Sequence, residues 1–270
     1  MGKIKEHERQ SYHEKVKNYV SMTKSLLENE KTLLDEAQKG APHSALHKLT
    51  LADEMLNLTS NYIAINGVSQ VVLKTKNEEA LNEGRKSLYK AVIYLEEIVS
   101  DYIDAPYSEY EEKLAVIESF DANQRYNLVK KMGLALDLLE NAYGDNSKWR
   151  WTFVELEGRF AITAKNILDL RNVLTNSSPQ SPYYDSTVYH LRLVKKLLIQ
   201  AADRYRGKYE LSTGQMSDFR TGILFLAGLR RLHIVLAESE EAESIKKKIA
   251  IWKAKFDADM KKQEEAKKRA

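Results

Sequence analysis

The chain has 270 residues, no cysteine, eleven glycines and four prolines, with 30% charged and 43% hydrophobic residues and a formal net charge of +3. That composition excludes collagen-like, disulfide-stapled and low-complexity classes, and such sparse Gly and Pro punctuation leaves too few turns for a protein built of hairpins. An all-α chain remains, long enough to bury one core or to spread it along a bundle.

In chain order, Tyr12, Val16, Tyr19, Thr23, Leu26, Glu30, Leu33 and Ala37 follow a four-three spacing, which predicts a coiled-coil-like seam. The helix carrying it runs over residues 5–39 and stops at Gly40 and Pro42. A second helix is expected over 43–65, ending at Asn66-Gly67, and a third over 68–104, interrupted around 74–77 and closed by Pro106. Ser108 with Glu111, and Asp121 with Gln124, have the capping-box spacing and mark a short helix to Ser119 and a longer one to Tyr143. After a turn at 144–147, positions 149, 153, 156, 160, 163, 167, 170 and 174 line one face of a further amphipathic rod.

The stretch TNSSPQSP at 175–182 reads as a linker. Beyond it, helices are expected over 182–209, 217–237 and from 239, the last burying Ile245, Ile249, Trp252 and Phe256. The resulting architecture is an elongated all-α bundle of about eight long amphipathic antiparallel helices with a bend near 175–182. Its parts are an N-terminal lobe (1–174), a linker (175–182), a C-terminal lobe (183–260) and a polar, fraying tail (261–270). Gly84, Gly133, Gly158, Gly222 and Gly228 fall inside predicted helices, where each costs about 1 kcal/mol relative to Ala. Close helix crossings explain their presence.

Residues 1–182 carry 23 basic against 27 acidic groups, whereas 183–270 carry 19 against 12. The opposed ends suit self-association or an acidic partner. No run of about 18 apolar residues spans a membrane, and no export leader is visible; Glu6 stands where an N-myristoylation signal takes Ser or Thr. His43 and His47 are four apart but too few for a metal site. None of the six histidines follows the Glu-x-x-His spacing of helical di-iron proteins. Phosphate-binding loops and nucleophile elbows are also missing. The expectation is therefore a non-enzymatic protein with no metal, cofactor or small-molecule substrate. Nucleic acid is not expected as a partner either, although Arg204, Arg206 and Tyr209 interleave bases with aromatics.

Fifteen tyrosines and three tryptophans supply side chains with an apolar body and a polar tip, the kind enriched at protein interfaces. The candidates for protein contact are Tyr107, Tyr110, Trp149, Trp151, Tyr183, Tyr184, Arg192, Arg204, Arg206 and Tyr209. Trp149 and Trp151, two apart on a helix, cannot share a face.

The opening KIKEHERQSYHEKVKNYV leading into the long first helix, the abundance of tyrosine and the lack of cysteine make the chain resemble the helical flagellar sheath and flagellar-coiling proteins of spirochaetes. The resemblance implies a structural component of a flagellar filament involved in motility, with filament proteins as partners and a periplasmic location after removal of a leader. Without a leader, the location is cytoplasmic. Two readings stand beside it: a cytoplasmic helical adaptor that binds a peptide or acidic partner around Tyr183, Tyr184 and Arg192, and a helical enzyme without a recognisable motif.

Overall fold

The computed structural model describes residues 5–38, 44–144 and 147–269. Among them it contains ten α-helices, eight of them of seven residues or more, and no strand, so the chain is all-α as its composition requires. The helices are α1 (Glu6–Gln38), α2 (Ser44–Val72), α3 (Glu78–Ile98), α4 (Glu111–Val116), α5 (Ala122–Tyr143), α6 (Arg150–Asn166), α7 (Val173–Asn176), α8 (Tyr184–Lys208), α9 (Met216–Val235) and α10 (Ser239–Arg269). The expected stop at Gly40 and Pro42, His43, and part of the 144–147 turn lie outside the described residues. The chain forms two compact units, one of Met1–Val99, Val116–Phe120 and Asn127–Arg150, the other of Ser100–Ala115, Asp121–Tyr126 and Trp151–Ala270.

In the first unit α2 packs against both α1 and α3. The predicted α1 seam is the face turned inward: Val16 and Glu30 are buried, and Tyr12, Tyr19, Thr23, Leu26 and Leu33 are half-buried. Val16 meets Ile65 of α2 and Ala80 of α3, with Tyr12, Tyr19, Tyr62 and Val68 around them. As the middle helix, α2 buries Leu51, Met55, Leu56 and Leu58 almost completely, each worth roughly 1.5–3 kcal/mol by transfer from water. Glu30 answers its burial with two hydrogen bonds from Lys90 (2.8 and 2.9 Å) and one from Tyr94 (2.8 Å).

The helix boundaries here differ from expectation for a local reason. Asn66 does not end α2; its side-chain oxygen accepts from the Asn77 amide (2.9 Å), and the helix continues to Val72. The chain then turns at Lys74, which has φ +55°, and Asn77 caps α3 by accepting from the Ala80 amide (2.9 Å). Asn77 Nδ2 also donates to the Tyr12 hydroxyl (3.0 Å), tying the turn to α1. The segment of α5 within this unit is placed by Lys131 on Asp53 (2.5 Å) and by the Tyr143 hydroxyl on Asn82 (3.0 Å).

In the second unit α9 packs against both α8 and α10. Phe219, Phe225, Leu226, Leu229, Leu198, Ala201, Ala202 and Trp252 fill the core. A Cβ on Gly222 would lie 2.9 Å from the Ala202 carbonyl oxygen, and one on Gly228 would lie 2.6 Å from that of Ile103. One on Gly158 would meet the Tyr205 ring at 2.7 Å. Gly158, Gly222 and Gly228 therefore mark close approaches, as expected of glycines placed in apolar stripes.

Four boundaries are corrected. The rod expected from 149 to 174 ends at Asn166, because the Asp169 carboxylate accepts from the Arg171 amide (3.1 Å) and from the Asn172 amide and side chain (3.4 and 2.7 Å), a local turn that competes with helix. The 175–182 stretch lies inside the second unit. It contains the end of α7 and hydrogen-bonded turns, with Ser177 Oγ donating to the Val173 carbonyl (2.6 Å). The segment after Pro106 opens with a 3-10 turn, Tyr107–Glu109, and α4 begins at Glu111, not at Ser108. The polar tail is helical through Arg269. By contrast, the capping box at Asp121 forms in both directions, each bond 2.9 Å.

Candidate functional site

The structure distributes the sequence-predicted contact residues unevenly between surface and interior. Tyr107 and Tyr110 come together edge to face, 5.4 Å between centroids, but Tyr110 is only 2% exposed and belongs to the core. Burial raises the proton affinity of both phenols. Trp149 is half-buried, with the Arg85 guanidinium 4.0 Å over its ring and Tyr143 at its edge. Trp151, Tyr183 and Tyr184 are half-buried.

The basic and aromatic segment at the end of α8 serves the fold. Arg204 pairs with Glu157 (2.7 Å) and Arg206 with Glu210 (2.9 Å), the latter also 5.0 Å over Trp252. Tyr209 stacks on Phe219 at 5.0 Å, and its hydroxyl donates to Asp259 (3.0 Å). Lys208 reaches the buried Asp218 (2.9 Å), which also accepts from Thr213 (2.6 Å). These cations already have carboxylates, so they offer little to a phosphate backbone.

Arg192 is different. It is exposed on α8, and beside it at helical spacing stand Tyr189, 49% exposed, Lys196 and Ile199. The Arg192 guanidinium lies 6.0 Å from the Tyr189 ring, and Tyr189 stacks on Tyr126 at 6.3 Å. Among the described residues neither Arg192 nor Lys196 meets a carboxylate. The solvent face of α8 is thus an aromatic, basic and apolar stripe. Its N-terminal end holds the exposed Asp185, and beyond Ile199 the Asp203 carboxylate is taken by Lys248 (3.1 Å). Tyr189, Lys196 and Ile199 were readable in principle as Arg192 displaced by three, four and seven positions; attention to helix starts passes over them.

The back of the same helix is anchored through a buried histidine. His190, buried, donates from Nε2 to the Ala164 carbonyl (2.9 Å), and Arg125 donates to that of Ile167 (3.0 Å), so orphan carbonyls at the end of α6 are satisfied. Burial chiefly lowers the His190 proton affinity to a pKa of about 4.

A second group of interest was not foreseen. Lys165, in the last turn of α6, is 4% exposed with its ammonium 5.5 Å from the Tyr110 ring centroid. Burial, opposed by Asp104 and reinforced by Arg231, lowers its pKa to about 8. Asp104 and Arg231 form an ion pair of 2.6 Å. Next to Lys165, Asn166 donates to the Ser100 and Tyr102 carbonyls (2.9 and 3.2 Å), fastening the segment that brings Asp104 and Tyr110 into place. The signal in sequence is a single cation inside the run FAITAKNIL at 160–168.

His47 is half-buried, and among the described residues no three His, Asp or Glu side chains gather as metal ligands. No helix among them is long and apolar enough to cross a membrane. Searches of curated proteins and of solved structures find no match to the chain. A family model does match, over residues 8–260, and its name has the form of a Treponema pallidum protein, consistent with a spirochaete source. The match covers nearly the whole chain, which belongs to the TP0443 family.

Proposed function

We propose that this protein is a non-enzymatic assembly protein that acts through protein–protein contacts, with the solvent face of α8 as its contact surface. The observation that carries the reading is the stripe of Tyr189, Arg192, Lys196 and Ile199, whose two cations have no carboxylate among the described residues. Tyr and Arg are over-represented among residues that dominate binding energy, and unpaired cations select an acidic surface by complementarity. The buried His190 anchors α8 behind the stripe to the Ala164 carbonyl, so little order is lost on docking. The partner is accordingly an acidic protein surface.

In its most specific form the partner is a flagellar filament protein and the chain is a periplasmic sheath component. The resemblance in the N-terminal segment and the spirochaete form of the family name support that version. The same stripe supports a cytoplasmic adaptor for an acidic helical peptide. Co-sedimentation with filaments purified from the source cell separates the two. A sheath component decorates filaments saturably, and reversing both charges (Arg192→Glu with Lys196→Glu) weakens decoration at least about tenfold, or about 1.4 kcal/mol. An adaptor ignores filaments and binds an acidic helical peptide with the same sensitivity. Binding to neither, or binding indifferent to the double reversal, refutes the α8 surface.

A further inference from the structure

The solvent face of α8 is bounded by an acid at each end. Along one face, at helical spacing of three or four, stand Asp185, Tyr189, Arg192, Lys196, Ile199 and Asp203, all exposed. The charges run acid, base, base, acid. Laid antiparallel on a second copy in full overlap, this stripe sets cation against cation and acid against acid. Slid toward its N-terminal end it becomes self-complementary: with Tyr189 at a two-fold axis, Asp185 of each copy faces Arg192 of the other. The opposite slide centres on Ile199 and sets Lys196 against Asp203, but Asp203 is already held by Lys248 (3.1 Å). Among the described residues Asp185, in the first turn of α8, meets no cation, and Arg192 meets no carboxylate.

We propose that a second copy of the chain docks antiparallel on the N-terminal half of this face, with reciprocal Asp185–Arg192 ion pairs around a central Tyr189–Tyr189 contact. The dimer uses the contact surface assigned to α8 and so rests on that reading; it names a second copy as an occupant. A two-fold contact forms each interaction twice, because the same patch serves both copies. Tyr189 suits the axis: it is 49% exposed and its ring is backed by Tyr126 at 6.3 Å, so it presents a supported aromatic face. One helix pair buries less than the roughly 1,200 Å² of a standard interface, so the dimer is weak and exchanges readily. Lys196 and Ile199 lie beyond the crossing and stay open. An acidic partner therefore competes with the second copy for Arg192, and dimerisation tunes access to the α8 face.

The test combines sedimentation equilibrium of the full chain, up to about 1 mM, with spin-label distances. Because the chain has no cysteine, Gln200→Cys carries a single label. Position 200 lies about 17 Å along α8 from the Tyr189 axis, so the two labels of the dimer should be about 35 Å apart; a crossing at Ile199 would bring them within about 20 Å. Asp185→Arg and Arg192→Asp should each weaken the dimer at least about tenfold, since both ion pairs become like-charge contacts, and the double exchange should restore it to within about threefold. Both residues are exposed, so the variants fold. Asp185→Arg should leave binding of filaments or of an acidic helical peptide intact, whereas Arg192→Asp weakens it. A chain monomeric to about 1 mM, a dimer indifferent to the single reversals or not restored by the exchange, or labels within about 20 Å overturns the proposal. A monomer that still binds the acidic partner through Arg192 and Lys196 removes the dimer and leaves the contact reading standing. A dimer that behaves as expected while neither filaments nor peptide bind supports the second copy and removes the acidic partner alone.

Discussion

Replacing Gly228 by Ala tests how closely α9 approaches the segment that carries Asp104 and Tyr110. The added methyl would lie 2.6 Å from the Ile103 carbonyl oxygen and 3.5 Å from its carbon. The obstacle is backbone, and it is held by the Asn166 bonds to Ser100 and Tyr102 and by the Arg231–Asp104 pair, so it cannot yield by a rotamer change. Overpacking of this kind costs about 1–3 kcal/mol, here toward the upper end, and the better helix propensity of Ala returns about 1 kcal/mol. The net is a destabilisation of about 1–2 kcal/mol. Gly67, inside α2, supplies the internal control: nothing lies within 4 Å of its added Cβ, so Gly67→Ala should stabilise by up to about 1 kcal/mol. Urea unfolding followed by far-ultraviolet circular dichroism reads both, with the midpoint falling for Gly228→Ala and rising for Gly67→Ala. A rise for both would mean that the Ile103 carbonyl does not lie against α9, and the account of the 100–110 segment would fail.

Ala237 ends α9 with φ +58°, while the Glu238 amide donates to the His233 carbonyl (2.9 Å); Ala237→Gly relieves the left-handed strain and should raise stability by about 0.5–1 kcal/mol, measured by urea denaturation. His190 is held to a pKa of about 4 against an ordinary 6.5, so between these values the unfolded chain binds more protons and stability falls as pH drops, by about 3 kcal/mol in total. Its C2 proton should titrate near pH 4 in NMR, and titration near 6.5 would contradict its burial. Glu238 is pushed up by burial but brought below the usual carboxylate range by Lys195 (2.5 Å) and His233 (2.6 Å). Its contribution is present above pH 4.5 and lost as pH falls below it, so Glu238→Gln should lower the neutral-pH midpoint and flatten the acid limb of the wild-type profile.

Periodicity exposed the long helices well because their apolar stripes are set by one face of burial; the α1 seam and the Asp121 capping box are examples. It failed where a side chain chose a tertiary partner over a local one. Asn66-Gly67 looks like a helix stop, but Asn66 serves the backbone of Asn77 across a turn and α2 runs on. The apolar spacing at 167, 170 and 174 continues that of α6, yet Asp169 closes a turn on its own backbone, leaving Ile167 buried and Leu174 exposed. Site reading met the same limit. Arg192 was recognisable as a surface cation, whereas Arg204 and Arg206 look equivalent in sequence and differ because Glu157 and Glu210 reach them. Whether Lys165 is solvated or enclosed depends on Tyr110, which is 55 positions away and invisible to local spacing.

The contact role of α8 is tested most directly by site-specific photo-crosslinking in the source cell, with the probe at Gln200 beside the stripe and, as control, at Leu224, exposed on α9. The account predicts a single acidic protein adduct from position 200, absent from position 224 and lost when Arg192 and Lys196 are both changed to Glu. Equal adducts from both helices, or an adduct from position 200 that survives the double reversal, would contradict it.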